Sequence, residues 1–234
     1  MLCPARCLHR WPMPPSAAAP FAVLGGEAGE AVFADFSAAL QKAQAEGRIL
    51  TASLFRYENQ LFFYAEGLNR PFTPQGLCPA LDAALLPWPP ALGETAPRPW
   101  AAMQPYFYHD VPTTAADWQQ GRCPQRRRGR IALLPPDKWC SYMEHHLRIV
   151  TEGLVEGDRW HLICVQEGVL FSYLEEPRTN VNIRHKPGAH SPELDAWIAA
   201  DPESHFARFT PEQKAHPDSG HNFVFLPRIA GTED

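Results

Sequence analysis

The chain of 234 residues has no uninterrupted apolar run near the ~18 residues a membrane-spanning helix needs, no paired CxxC spacing and no broad excess of basic residues. Each absence excludes a class. Without the apolar run, no membrane helix is expected. The six cysteines, at 3, 7, 78, 123, 140 and 164, are too scattered for the disulfide framework of a small secreted domain, so reduced thiols and a cytoplasmic location are expected. Residues 1–19, MLCPARCLHRWPMPPSAAA, contain Cys3 and Cys7 and are expected to form a poorly ordered tail; Arg, His and Pro interrupt the apolar stretch that a signal peptide would need. A formal net charge of -5 argues against a nucleic-acid partner. The short basic run Arg126, Arg127, Arg128 and Arg130 is expected to solvate a linker and the edge of the strand after it. Ten histidines are present, but no HExxH or similarly tight ligand spacing, so neither a metal nor another cofactor is expected.

The chain is, by contrast, rich in what a core requires. Hydrophobic residues make up 45% and aromatics 11%, enough for one large or two small domains. Residues 21–66, FAVLGGEAGEAVFADFSAALQKAQAEGRILTASLFRYENQLFFYAE, lie without a gap over residues 130–175, RIALLPPDKWCSYMEHHLRIVTEGLVEGDRWHLICVQEGVLFSYLE, at an offset of 109. The matches include Glu58 with Glu167 in a turn, then Leu61, Phe62, Tyr64 and Glu66 with Leu170, Phe171, Tyr173 and Glu175. Such self-similarity marks a repeated structural unit. Each copy begins with a short apolar strand and enters a helix, in which Val32, Phe33, Phe36, Leu40 and Ala43, or Tyr142, His145, His146, Ile149 and Val150, recur at helical spacing. A hairpin follows, turning at YEN or QEG. A short helix in LCPALDAALL or SPELDAWIAA and a closing strand in PYFYHDV or NFVFLPRI complete each copy.

The expected fold is therefore α+β, with two tandem ferredoxin-like β-α-β-β-α-β units, residues 20–110 and 129–230, joined by a linker at 111–128. Two such units predict an intrachain dimeric α+β barrel, in which each sheet covers the other's second face. The 25 prolines are about twice the usual ~5% and concentrate in the tail and in segments flanking the second helices, where irregular loops are expected.

The segment PPDKWCSYMEHHLRIV, residues 135–150, carries the candidate chemistry. Its Pro136, Asp137, Tyr142 and His146, the strand VLFSYLEE, the helix bearing Trp197 and the loop and strand HPDSGHNFVFLP resemble L-rhamnose mutarotase over residues 129–229. The chain differs in having RIVTEG where that family has IWPEL, one tryptophan where it has a pair, and two copies where it has a single domain. The resemblance implies a sugar mutarotase with Tyr142 and His146 as catalytic residues, Trp197 as a wall of the sugar pocket and a monosaccharide, rhamnose or a similar deoxy sugar, as substrate. His145 joins Trp197 in the expected substrate-binding set, since a one-residue change of register exchanges it with His146.

The chemistry fits the residue types. Residues four apart lie one above the other on a helix, so Tyr142 and His146 can address one ligand. Mutarotation needs a base for the anomeric hydroxyl and an acid for the ring oxygen; histidine titrates near working pH, and tyrosine stays neutral while donating or accepting a hydrogen bond. The packing alternative is that both are boundary residues of a helix face. In the first copy the offset places Phe33 and Ser37 at these positions, so that copy is expected to be a structural partner, contributing at most Arg56 or Tyr108 to the pocket mouth. Two other functions stay open: a non-catalytic sugar or small-molecule binder, favoured by the altered segment after His146, and a haem or oxygen-using enzyme of the same fold, with histidines such as His185, His190, His205, His216 and His221 as ligands. The expected partner is a small molecule, with neither nucleic acid nor membrane, and the chain is expected to be a monomer or weak homodimer.

Overall fold

The computed structural model describes residues 17–18, 20–68, 72–90, 93–214 and 218–232. The expected tail, with Cys3 and Cys7, falls almost wholly outside them, as does His216. The chain is α+β with antiparallel sheets and divides into two compact units: Gln104–Phe225, and the described residues before Gln104 and after Phe225. Among the described residues no helix is long and apolar enough to cross a membrane.

The unit formed by both ends of the chain contains β1 (Ala17–Ala18), β2 (Pro20–Val23), α1 (Glu30–Ala45), β3 (Ile49–Tyr57), β4 (Gln60–Gly67), α2 (Pro79–Ala84) and β5 (Ala101–Ala102). Its last strand is β13 (Arg228–Gly231), and the sheet order is β13-β3-β4-β2-β5, with β1 also on β4. Phe33, Phe36, Leu40 and Ala43 on α1 are buried against Leu54, Leu61 and Phe63 of the sheet, as the helical spacing predicts. Ser37, on the same helix, accepts a hydrogen bond from the Gly231 N–H of β13 at 3.2 Å.

The other unit contains β6 (Gln104–Tyr108), α3 (Ala115–Gln119), β7 (Arg126–Leu133), α4 (Trp139–Glu152), β8 (Val155–Glu156), β9 (Leu162–Gln166), β10 (Val169–Glu176), β11 (Arg184–His185), α5 (Pro192–Ala199) and β12 (Val224–Leu226). Its main sheet runs β12-β7-β10-β9-β6, and β8 pairs with β11 separately. Pro135 and Pro136 open a 3-10 turn that leads into α4, and Gly153, at φ 71°, ends the helix in the left-handed conformation that glycine takes without a Cβ penalty. Ser191 caps α5 by accepting from Leu194 N–H, with Pro192 in the first helical position.

The hairpins match the repeat closely. Tyr57 faces Gln60 and Gln166 faces Val169, so each turn has two residues. Glu58 and Glu167, aligned in the sequence, both take positive φ, 52° and 47°. Such tight hairpins need left-handed backbone to follow the strand twist. Beyond the turns, Tyr64 donates to Glu66 and Tyr173 to Glu175, each at 2.6 Å. Alternation puts Tyr173 and Phe171 on the sheet face opposite Leu170, which packs with the helices, and all three are buried; Tyr64 and Phe62 stand in the same relation to Leu61 and Phe63.

The closing strands differ from expectation. PYFYHDV does not close the first copy: Ala101–Ala102 lies beside β2, while Gln104–Tyr108 pairs with β9 in the other unit. NFVFLPRI divides likewise, Val224–Leu226 lying beside β7 and Arg228–Gly231 beside β3. Alternating apolar residues announce a strand but not the edge that will take its hydrogen bonds, so the copy boundaries near 110 and 129 did not foresee this division. The linker expected at 111–128 is largely built in. Trp118 of α3 is buried, and its carbonyl accepts from Trp160 Nε1 at 3.1 Å. The basic run lies within β7, and the Arg127 side chain is buried beside Glu175, which also takes a 2.6 Å ion pair from Arg122. A buried carboxylate needs such partners, which a solvated run would not supply.

Candidate functional site

Tyr142, His146 and Ile149 form the buried stripe of α4, one turn apart. Within the Gln104–Phe225 unit, Tyr142 and His146 line a cavity of about 520 Å³, together with Trp197 from α5. The three rings touch: 4.3 Å between the centroids of Tyr142 and His146, 4.9 Å from His146 to Trp197 and 5.4 Å from Tyr142 to Trp197. His145, by contrast, is not among the residues lining the cavity. It packs on Trp197 at 5.3 Å and near His205 at 6.3 Å, because successive residues on a helix point about 100° apart.

One hydrogen bond settles the state of His146. Its Nδ1 lies 2.9 Å from the Tyr142 carbonyl oxygen. A carbonyl only accepts, so Nδ1 carries the proton, and in the neutral ring Nε2 keeps the lone pair. Burial holds the ring neutral, pulling its pKa down to about 4 from an ordinary value near 6.5. Burial also pushes the Tyr142 hydroxyl up to about 12. At neutral pH the pair is therefore an imidazole base beside an un-ionised phenol.

The sheet completes the wall. Phe107 from β6 stands 4.8 Å from both His146 and His109, and 6.0 Å from His161. Burial lowers His109 to about 4 and His161 well below its ordinary value. The Cδ2–Nε2 side of His109 packs against Gly157, where a Cβ would fall 2.0 Å from the imidazole ring. Asp158, buried on the cavity wall, accepts from Arg178 Nε at 2.9 Å, from Thr179 Oγ1 at 2.8 Å and from Thr179 N at 3.1 Å. Arg130 of β7 also faces the cavity. Its guanidinium stacks 4.3 Å over Phe223, and burial, with Arg178 nearby, lowers its pKa to about 10, which leaves it charged at neutral pH.

Of the first copy's expected contributions, Tyr108 is buried but lies off the cavity, and Arg56 is in the other unit, donating to the Glu58 carbonyl. Phe107 and His109 face the cavity instead of Tyr108, since side chains alternate along β6. His109, Arg130, Asp158, His161 and Arg178 were not anticipated. They come from separate strands and loops, and no local periodicity connects them.

A second cluster, His185, His190 and Asp195, brings ligand-type atoms within 4.8 Å of one another, although the spacing suggested no metal. His185 Nδ1 already accepts from Ser191 N–H at 3.1 Å. A neutral imidazole has one lone pair, so its Nε2 then carries a proton and faces Asp195 as a donor, not as a metal ligand.

The chain is an α+β protein in which one of the two units holds a buried Tyr142/His146 pair on a cavity wall. No family profile matches the chain, and no curated protein does. A solved structure from Fusobacterium nucleatum subsp. nucleatum, named "putative monooxygenase", aligns over 92% of this chain and 93% of its own, at 8% identity and a TM-score of 0.40. A likeness at that level carries no functional weight.

Proposed function

We propose that the Gln104–Phe225 unit interconverts the anomers of a monosaccharide by general acid–base catalysis. The observation that carries the proposal is the pinning of His146 Nδ1 on the Tyr142 carbonyl, which leaves Nε2 as the acceptor beside the Tyr142 ring on a cavity wall. In this mechanism Nε2 takes the proton of the anomeric hydroxyl, while the Tyr142 hydroxyl donates to the ring oxygen. The bond between the anomeric carbon and the ring oxygen breaks as the carbonyl forms. Rotation about the adjacent carbon–carbon bond turns the other carbonyl face toward the ring hydroxyl, and closure returns both protons. Trp197 offers the aromatic face on which a sugar's C–H groups stack.

The same reading takes the two units as ferredoxin-like halves of an intrachain dimeric α+β barrel. It is supported by the repeat and by the burial of Tyr64 and Tyr173 on sheet faces turned away from the helices. Exchange of anomeric protons, measured by saturation-transfer NMR across a panel of monosaccharides, tests the activity. His146→Ala is expected to lose about 10²–10⁴-fold, and Tyr142→Phe less. Exchange at the buffer rate for every sugar rejects the reading.

One observation favours a second reading, a sugar binder without catalysis. A base of pKa about 4 is poorly matched to proton transfer near neutrality. Binding without faster exchange selects it.

A further inference from the structure

Arg130 is the feature of the cavity that the acid–base pair does not use. It projects from β7 on the face shared with Ala132, among apolar and aromatic side chains. Its Nε is sealed from solvent without a hydrogen-bond partner, and among the described residues the guanidinium has no ion pair: the Phe223 ring lies under it, and the Tyr106 and Tyr142 hydroxyls near it are un-ionised. A charge withdrawn from water and left unpaired is costly, and a ring face compensates only part of that cost.

The other charges around the cavity do not balance it. Arg178 is matched by Asp158. Glu203 lies at the exposed rim and takes a hydrogen bond from Asn222 at 2.9 Å. The three imidazoles are neutral. His161 Nε2 is sealed from solvent and without a partner, and remains to be satisfied; His109 Nε2 also lacks a partner but is packed against Gly157. A neutral imidazole can turn an N–H toward an oxygen anion, and a guanidinium offers a planar fork that matches a carboxylate. One uncompensated positive charge calls for a monoanion; a phosphate dianion would leave an excess negative charge beside Asp158. The volume of about 520 Å³ accommodates a single sugar ring.

We infer that the ligand is a monosaccharide acid, such as a hexuronate, with its carboxylate seated on Arg130 and its anomeric centre toward Tyr142 and His146. This rests on the monosaccharide reading above, but the carboxylate seat is tested separately from the reaction. The purified full chain would be titrated by ligand-observed NMR with galacturonate and glucuronate, with galactose and glucose, and with glucose 6-phosphate. At least one uronate is expected to bind about ten-fold or more tightly than its neutral counterpart, with the preference lost in Arg130→Gln and partly kept in Arg130→Lys. His146→Ala is expected to keep that preference. Equal affinity for uronates and neutral hexoses in the unaltered protein overturns the inference without any variant, and tighter binding of the 6-phosphate overturns the choice of carboxylate. Uronate binding that depends on Arg130, with anomer exchange no faster than buffer, upholds the seat and rejects the mutarotase reaction. Arg130→Met, ligand-free, separates a ligand role from a structural one. Removal of an unpaired charge is expected to raise the thermal midpoint by a few degrees, whereas a drop shows that Arg130 holds the fold and overturns the inference.

Discussion

His146 gives the protein a dependence on acid that can be worked out from one ring. Its folded pKa is about 4, below its ordinary value near 6.5, so the unfolded chain binds this proton first as pH falls. The stabilisation is complete above pH ~6.5 and is lost on the way down through pH ~4, amounting to about 3 kcal/mol for this one group. His109, depressed to about 4 by the same burial, acts in the same direction. Urea unfolding measured between pH 7 and 4 is expected to show a steep loss of stability that His146→Gln makes shallower. Any catalysed exchange should likewise keep its rate down to pH near 4, instead of losing it near 6.5. Gly157 supports a second prediction at this scale. A methyl group there would collide with the His109 ring, so Gly157→Ala is expected to displace His109 and cost about 1–3 kcal/mol, read as a lower urea midpoint.

At the level of elements, the two long helices repeat a packing pattern but not a chemistry. Phe33 occupies the place of Tyr142, and Ser37 that of His146. Phe33 is 8% exposed in its core, and Ser37 ties α1 to β13 through Gly231. Phe33→Ala is expected to cost about 3–5 kcal/mol and Ser37→Ala about 0.5–1.5 kcal/mol, both by chemical denaturation, and neither should alter ligand binding by the folded protein. Much of the pattern was legible. Tyr142 and His146 could be singled out because a helix converts spacing along the chain into a shared face, whereas Trp197, on another helix, was singled out only by the resemblance of that segment to the mutarotase family. His145 was placed with them only because adjacent residues cannot be told apart by period alone. Arg130 was misread as solvated because an isolated arginine gives no sign of what will cover it.

For the whole molecule, the decisive feature is that the unit containing α1 takes its edge strand from the far end of the chain. β13 pairs with β3, Thr232 Oγ1 accepts from Ala52 N–H at 3.1 Å, and Arg228 Nε donates to Ser53 Oγ at 2.9 Å. Truncation after Leu226 is therefore expected to leave β3 as an open edge, to speed hydrogen exchange at residues 49–57 and to promote aggregation. A truncated protein with unchanged protection there would show that β13 contributes little.

What could be determined from residue order alone is local: the repeat, the hairpins turning at YEN and QEG, the apolar stripe of each helix and the Tyr/His pair one turn apart. These depend on periods of 2 and 3.6 and on residues a few places from one another. Two things were decided only in three dimensions. The partner of each closing strand depends on backbone hydrogen bonds to segments far along the chain, such as that from Thr232 N–H to the Ala52 carbonyl, to which side-chain pattern is indifferent. The cavity's electrostatics depend on which side chains exclude water from Arg130, His109, His146 and His161, and desolvation is a property of the packed volume, carried by no single residue.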